Sequence, residues 1–108
     1  ELSSMYSAFA RETRDMGYQI QRTDRGGFYD WHYDGDISGK KRFLVAIWYL
    51  NTLEGDQGGT TDFRDQNIRI KAVAGDLILF PPYWTHYHRG AIVNYSSKYI
   101  ATTWLDDA

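Results

Sequence analysis

Residues 43–80 read FLVAIWYLNTLEGDQGGTTDFRDQNIRIKAVAGDLILF, and this stretch decides the fold. Short runs rich in β-branched and aromatic residues, at 43–50, 60–63, 68–73 and 76–80, are divided by clusters of Gly, Asp and Asn. Such runs suit a pleated, half-buried surface, and the residues between them supply turns. Working outward, the same pattern continues at 18–23, 28–33, 85–89 and 99–105. Eight short strands suggest a sandwich or small barrel, and a double-layered jelly roll is the usual way for eight strands to hide their edges. Ahead of them, Leu2, Met5, Tyr6, Phe9 and Met16 fall close to the spacing of one helix face, with Gly17 as a stop. The expectation is a mainly β chain with one N-terminal helix over residues 1–17 and a barrel over 18–108. Residues 35–42, with two glycines and three consecutive basic residues, are expected to be a mobile loop.

Composition sets the outer limits. The 108 residues suit one domain with one core, and ten glycines and eighteen aromatics (4 Trp, 9 Tyr, 5 Phe) against two prolines fit a β-rich chain. A formal charge of −2 offers no basic stripe for a phosphate backbone, so no nucleic-acid partner is expected. No apolar run approaches the ~18 residues of a membrane helix, so a soluble, cytoplasmic protein is expected and no membrane partner. With no cysteine, any metal must be held by His and carboxylate.

The three histidines are His32, His86 and His88. His32 opens His32-Tyr33-Asp34, and His-x-Asp on an extended strand puts imidazole and carboxylate on one face, because strand side chains alternate. Alone this pair is weak: a histidine and an aspartate at a strand end also serve turns. Read with the distal Trp84-Thr85-His86-Tyr87-His88, it offers two histidines and one carboxylate, the facial triad that binds Fe(II) and leaves positions open; zinc is the competing metal. His86 and His88 share strand parity, so alternation does not separate them.

These residues resemble the Fe(II)- and 2-oxoglutarate-dependent dioxygenases, and within them the prolyl 4-hydroxylase-like branch. The family pattern is His-x-Asp, a distal His, and a basic residue about ten positions later. His88-Arg89-Gly90-Ala91-Ile92-Val93 leading to Lys98 is similar to its H-x-G-x-x-V run, which favours His88 over His86. Gly58-Gly59-Thr60-Thr61-Asp62-Phe63 and the run from Lys71 to Phe80 resemble further family segments, so the likeness runs in order over residues 18–104.

The resemblance implies a double-stranded β-helix in which His32, Asp34 and His88 hold Fe(II). It implies that Lys98, Tyr49 and Thr102 bind 2-oxoglutarate, with ascorbate as a reductant; a core tyrosine is an equal reading for Tyr49. Tyr29 and Trp104 match positions facing the pocket or substrate, and Trp31 is counted among the aromatics that wall it on the substrate side, although a core aromatic is an equal reading for Tyr29 and packing the better one for Trp104. Lysine suits its role chemically, since an ammonium offers a compact charge and three donors to a carboxylate. One departure stands out: Thr23 occupies a position where this branch usually carries a tyrosine that orients the cosubstrate. Asp34 favours hydroxylation, because halogenating relatives carry a small residue there.

The implied activity is hydroxylation of an unactivated C–H bond, of a peptidyl proline or related substrate, using O2 and releasing succinate and CO2. The substrate is then a peptide, a protein or a small molecule. Two other classes stand beside it: a non-catalytic or structural-metal cupin-like binding module, and a zinc or manganese cupin-like isomerase. A retained His32, Asp34, His88 and Lys98 set speaks against the first, and a lysine placed for the cosubstrate against the second.

Overall fold

The computed structural model describes residues 13–15, 17–35 and 42–107. Nine strands follow in order: β1 (Thr13–Asp15), β2 (Gln19–Thr23), β3 (Tyr29–His32), β4 (Arg42–Tyr49), β5 (Thr61–Phe63), β6 (Ile68–Ile70), β7 (Leu77–Phe80), β8 (His88–Gly90) and β9 (Lys98–Asp107). They form two antiparallel sheets. The larger is ordered β1-β9-β4-β7, with β2 also on β9, and the smaller β3-β8-β5-β6. From β2 onward the chain passes repeatedly between the sheets, which is the jelly-roll path that the alternating runs predict.

Strand periodicity decides which side chains meet between the sheets. On β4, Val45, Ile47 and Tyr49 face inward, where they meet Phe63 of β5, Phe80 of β7, Leu53 and Ala72. Phe63 and Phe80 meet edge to face at 4.9 Å, a favoured arrangement for aromatic rings. Across the β4–β9 ladder Val45 opposes Trp104, Ile47 opposes Thr102 and Tyr49 opposes Ile100, so β9 continues the same inner face. Burying a side chain such as Val45 fully contributes about 2 kcal/mol, and the seven-residue cluster around it joins the two sheets.

Two expectations change. Thr13–Asp15, assigned above to the N-terminal helix, form β1 on the end of β9; pairing with a ten-residue strand overrides the helical spacing of the residues before it. The rest of that helix, residues 1–12 and 16, lies outside the described residues, as does most of the loop expected at 35–42. Residues 85–89 do not form one strand. A 3₁₀ turn, Trp84–His86, closed by the His86 amide donating to the Tyr83 carbonyl, precedes β8. No helix among the described residues is long and apolar enough to cross a membrane.

Candidate active site

The site lies between the sheets, on strands β2, β3, β4, β5, β8 and β9. β3 and β8 supply its polar wall through an irregular register. Tyr29 pairs with Gly90 and His32 with His88, three steps on β3 against two on β8. This is a β-bulge, which re-aims side chains along the strand that carries the extra residue. It puts Tyr29 and His32, an odd number of positions apart, on the same pocket wall. Trp31 is left outside, where it stacks on Tyr87 at 6.1 Å and lies beneath the Arg89 guanidinium at 4.8 Å. Trp31 is thus not part of the pocket lining.

Asp34 lies two residues beyond β3. The Gly35 amide donates to the Pro82 carbonyl at 2.8 Å, tying this strand end to the turn after β7. Donor atoms of His32, Asp34 and His88 all come within 4.8 Å of one another. His32 Nε2 is 3.2 Å and His88 Nε2 3.8 Å from Asp34 Oδ1. The histidine Nδ1 atoms are occupied elsewhere, His32 on the Asp30 carbonyl at 2.7 Å and His88 on the His86 carbonyl at 2.8 Å. A carbonyl only accepts, so each Nδ1 carries a hydrogen; in the neutral ring each Nε2 then keeps a lone pair for a metal, and when His32 is protonated its Nε2 also carries a hydrogen and donates it to Asp34. That outer anchoring is what fixes the tautomer of a metal-ligating histidine.

Burial and charge divide the three unequally. Burial pushes the His88 imidazole below its ordinary pKa, while its hydrogen bond to the His86 carbonyl opposes this. The hydrogen bond to Asp34 raises His32 despite its partial burial. Burial alone would raise Asp34, but hydrogen bonds from His32 and Trp104 and the nearby imidazoles outweigh it and hold the carboxyl below its ordinary value. An ionised carboxylate beside two Nε2 lone pairs suits a divalent transition metal, so this donor set fits Fe(II).

His86 is separated from the group by the 3₁₀ turn. Its Nδ1 bonds the Thr85 hydroxyl at 2.9 Å and its ring packs edge-on to Phe63. His88 is 5% exposed and rests against Phe80 and Phe63. The shared parity that left the two undecided does not apply, because no continuous strand holds both.

Lys98 and Thr102, four residues apart on the inner face of β9 with Ile100 between them, line the same pocket as the three donors. Lys98 is 7% exposed, and burial brings its ammonium down to about 8, opposed by the charge of Asp62. Asp62 is itself held by Thr60, Arg69 and Arg89 on the other side of β5. Tyr49 lies beneath the lining. Its hydroxyl shares a 2.6 Å hydrogen bond with Thr61 Oγ1, and the Lys98 ammonium is 5.9 Å from its ring. Burial pushes the phenol up to about 12, partly offset by Thr61, so Tyr49 stays neutral.

Trp104 also lines the pocket, and its indole Nε1 donates to Asp34 Oδ2 at 2.8 Å. The sequence reading favoured packing for this residue; it packs and bonds. Two polar lining residues were missed, Thr61 and Gln21. Alternation from Lys98 through the β2–β9 pairing, which sets Gln21 opposite Ile100, finds Gln21 once the register is known.

The profile of the 2OG-Fe(II) oxygenase superfamily matches residues 18–106. No curated protein sequence matches the chain significantly. Among solved structures, a viral collagen prolyl hydroxylase from Paramecium bursaria Chlorella virus-1, in complex with 2OG, is 25% identical, with a TM-score of 0.85 over 99% of this chain and 70% of that one. A prolyl-4-hydroxylase from Pseudomonas putida is 20% identical (TM-score 0.75, 99% of this chain, 60% of that one). A Trichoplax adhaerens prolyl hydroxylase, in complex with a hypoxia inducible factor oxygen degradation domain peptide fragment, is 21% identical (TM-score 0.79, 98% and 55%). The last two share the fold, and the chain spans little more than half of their length. With the profile covering most of the chain and prolyl hydroxylases as its structural neighbours, this protein belongs to the 2OG-Fe(II) oxygenase superfamily, on its prolyl 4-hydroxylase-like branch.

Proposed function

We propose that the chain is the core of an Fe(II)- and 2-oxoglutarate-dependent hydroxylase acting on a peptidyl proline or related substrate. The observation that carries this reading is that three convergent donors, His32, Asp34 and His88, share one pocket with the buried Lys98. The donors hold Fe(II), and Lys98 pairs with the distal carboxylate of 2-oxoglutarate. A compact cation in a water-poor wall binds a carboxylate more strongly than it would in solvent. Thr61 offers its hydroxyl beside Lys98, with Tyr49 orienting that hydroxyl from below. Thr102 flanks the cosubstrate on β9.

Bound together at this site, Fe(II) and 2-oxoglutarate supply the chemistry that places one oxygen atom of O2 on the substrate carbon and the other in succinate, with loss of CO2. The protein positions and tunes. Val45, Ile47 and Ile100 give the pocket a dry apolar floor, which limits side reactions with water. Tyr29 stands at the lining with 47% exposure, placed to contact substrate entering past β3. A peptide substrate is supported by two structural neighbours, one a collagen prolyl hydroxylase and one bound to a peptide fragment.

The test is mass spectrometry of proline-rich peptides incubated with the protein, Fe(II), 2-oxoglutarate and O2, with ascorbate as reductant. The expected result is a mass gain of one oxygen on proline that requires 2-oxoglutarate and is lost in Asp34→Ala. Succinate release with no modified peptide, across collagen-like and hypoxia-factor-like sequences, would overturn the substrate class.

A further inference from the structure

The two oxygens of Asp34 face different partners. Oδ1 faces both imidazoles, 3.2 Å from His32 Nε2 and 3.8 Å from His88 Nε2. Oδ2 accepts the Trp104 indole hydrogen at 2.8 Å. An indole N–H donates and never accepts, so Trp104 has no capacity to ligate a metal. Its ring packs against the core cluster, and its backbone is paired with Val45 in the middle of the larger sheet. The donor therefore sits on a rigid element whose position the rest of the fold determines.

We propose that Trp104 is a positioning residue that keeps Asp34 a one-oxygen ligand. This rests on reading His32, Asp34 and His88 as the metal site. A carboxylate with both oxygens free can grip a divalent ion with two atoms. With Oδ2 committed to the indole, Asp34 contributes Oδ1 alone, and the protein takes three positions of an octahedral ion. Three remain, the number needed by a two-point chelating 2-oxoacid and one further small molecule. Releasing Oδ2 adds a fourth protein-held position, and the chelating cosubstrate has to displace it. Trp104 thereby acts on cosubstrate affinity through Asp34, without touching the cosubstrate.

Trp104→Phe tests this, because phenylalanine retains an aromatic ring for the core and removes only the donor and part of the ring area. Co(II) serves as a spectroscopic probe, and its absorption reports coordination. In the variant, Co(II) is expected to bind as tightly as in the parent protein or more so, with an altered visible spectrum. The affinity of the Co(II) protein for 2-oxoglutarate is expected to fall about tenfold, the size typical of losing a partner outside the ligand shell. An unchanged spectrum with unchanged 2-oxoglutarate affinity would overturn the proposal. So would a proportionate loss of Co(II) and 2-oxoglutarate binding together with a lowered melting temperature, the result for a ring that only packs. Failure of the parent protein to bind Co(II) would instead overturn the metal site itself, and this proposal with it.

Discussion

His32 and His88 are direct partners across β3 and β8, their ring centroids 4.4 Å apart. The bulge on β3 makes this pairing inward-facing, and the environments of the two rings differ. His88 stands on Phe63 and Phe80 with a side-chain exposure of 6%, against 43% for His32. Alanine at either position removes one Nε2 donor and is expected to weaken Co(II) binding by about a hundredfold. Only His88→Ala also leaves a cavity in the core, which costs about 2 kcal/mol of stability. Metal titration and thermal melts of the two variants together check this: equal losses in the first, unequal in the second.

With Lys98 as the proposed partner of 2-oxoglutarate, cosubstrate affinity and stability are expected to depend on pH in opposite senses. Its folded pKa of about 8 lies below its ordinary 10.5 because burial disfavours the charge. Below pH 8 the ammonium is charged in both states, so folding bears the full cost of burying it, at most about 3 kcal/mol. Between 8 and 10.5 the unfolded chain binds more protons, so stability rises with pH. Lys98→Met is expected to be more stable than the parent at pH 7, and the difference to shrink by pH 10. Affinity for 2-oxoglutarate is expected to fall as pH rises through 8 in the parent and to be weak at every pH in the variant. Denaturant melts and binding isotherms over this range check both.

Gly58 and Gly59 hold the loop that Lys98 packs on, both at positive φ, 77° and 73°. A Cβ on Gly59 would lie 2.5 Å from Leu53 Cδ1 and 3.5 Å from Lys98 Cδ, side-chain atoms able to shift. On Gly58 it would strike the Ile92 carbonyl oxygen, which the backbone fixes. Both alanine variants are strained, by about 1–3 kcal/mol, and Gly58→Ala is expected to be the less stable. Gly59→Ala is expected to weaken 2-oxoglutarate binding as well, by disturbing Lys98. Melting temperatures and cosubstrate titrations separate the two effects.

Thr61→Val keeps the side-chain shape and leaves the Tyr49 hydroxyl without its 2.6 Å partner. An unsatisfied buried hydroxyl costs about 1–3 kcal/mol. Thr61→Val with Tyr49→Phe is expected to recover most of that loss, while cosubstrate affinity stays reduced because the Thr61 hydroxyl is gone. A double-mutant cycle read by both stability and 2-oxoglutarate binding checks this.

The strands of the barrel were legible in the sequence because each inner-facing run pairs with another of the same kind. Six of the eight expected runs contain a strand over most of their length and the run at 68–73 over half of it; the run at 85–89 broke because the turn at Trp84–His86 interrupts it before His88. That turn separates His86 from His88, and simple alternation had no means of showing it. Nor does alternation show where Trp31 lies. With a regular β3, Tyr29 and Trp31 would share one face and His32 the other. The bulge depends on cross-strand pairing that local sequence does not report. His32, Asp34, His88 and Lys98 were readable from spacing and family likeness. The Trp104–Asp34 bond was not, since it joins residues 70 positions apart.

The central claim is that His32, Asp34 and His88 hold Fe(II) in the pocket where Lys98 receives 2-oxoglutarate. Anaerobic addition of Fe(II) and 2-oxoglutarate tests it most directly, by the weak visible charge-transfer absorption of the chelate. A band is expected in the parent protein, none in Asp34→Ala, and in Lys98→Met a band only at much higher 2-oxoglutarate. No band in the parent, or one that survives Asp34→Ala, would contradict it.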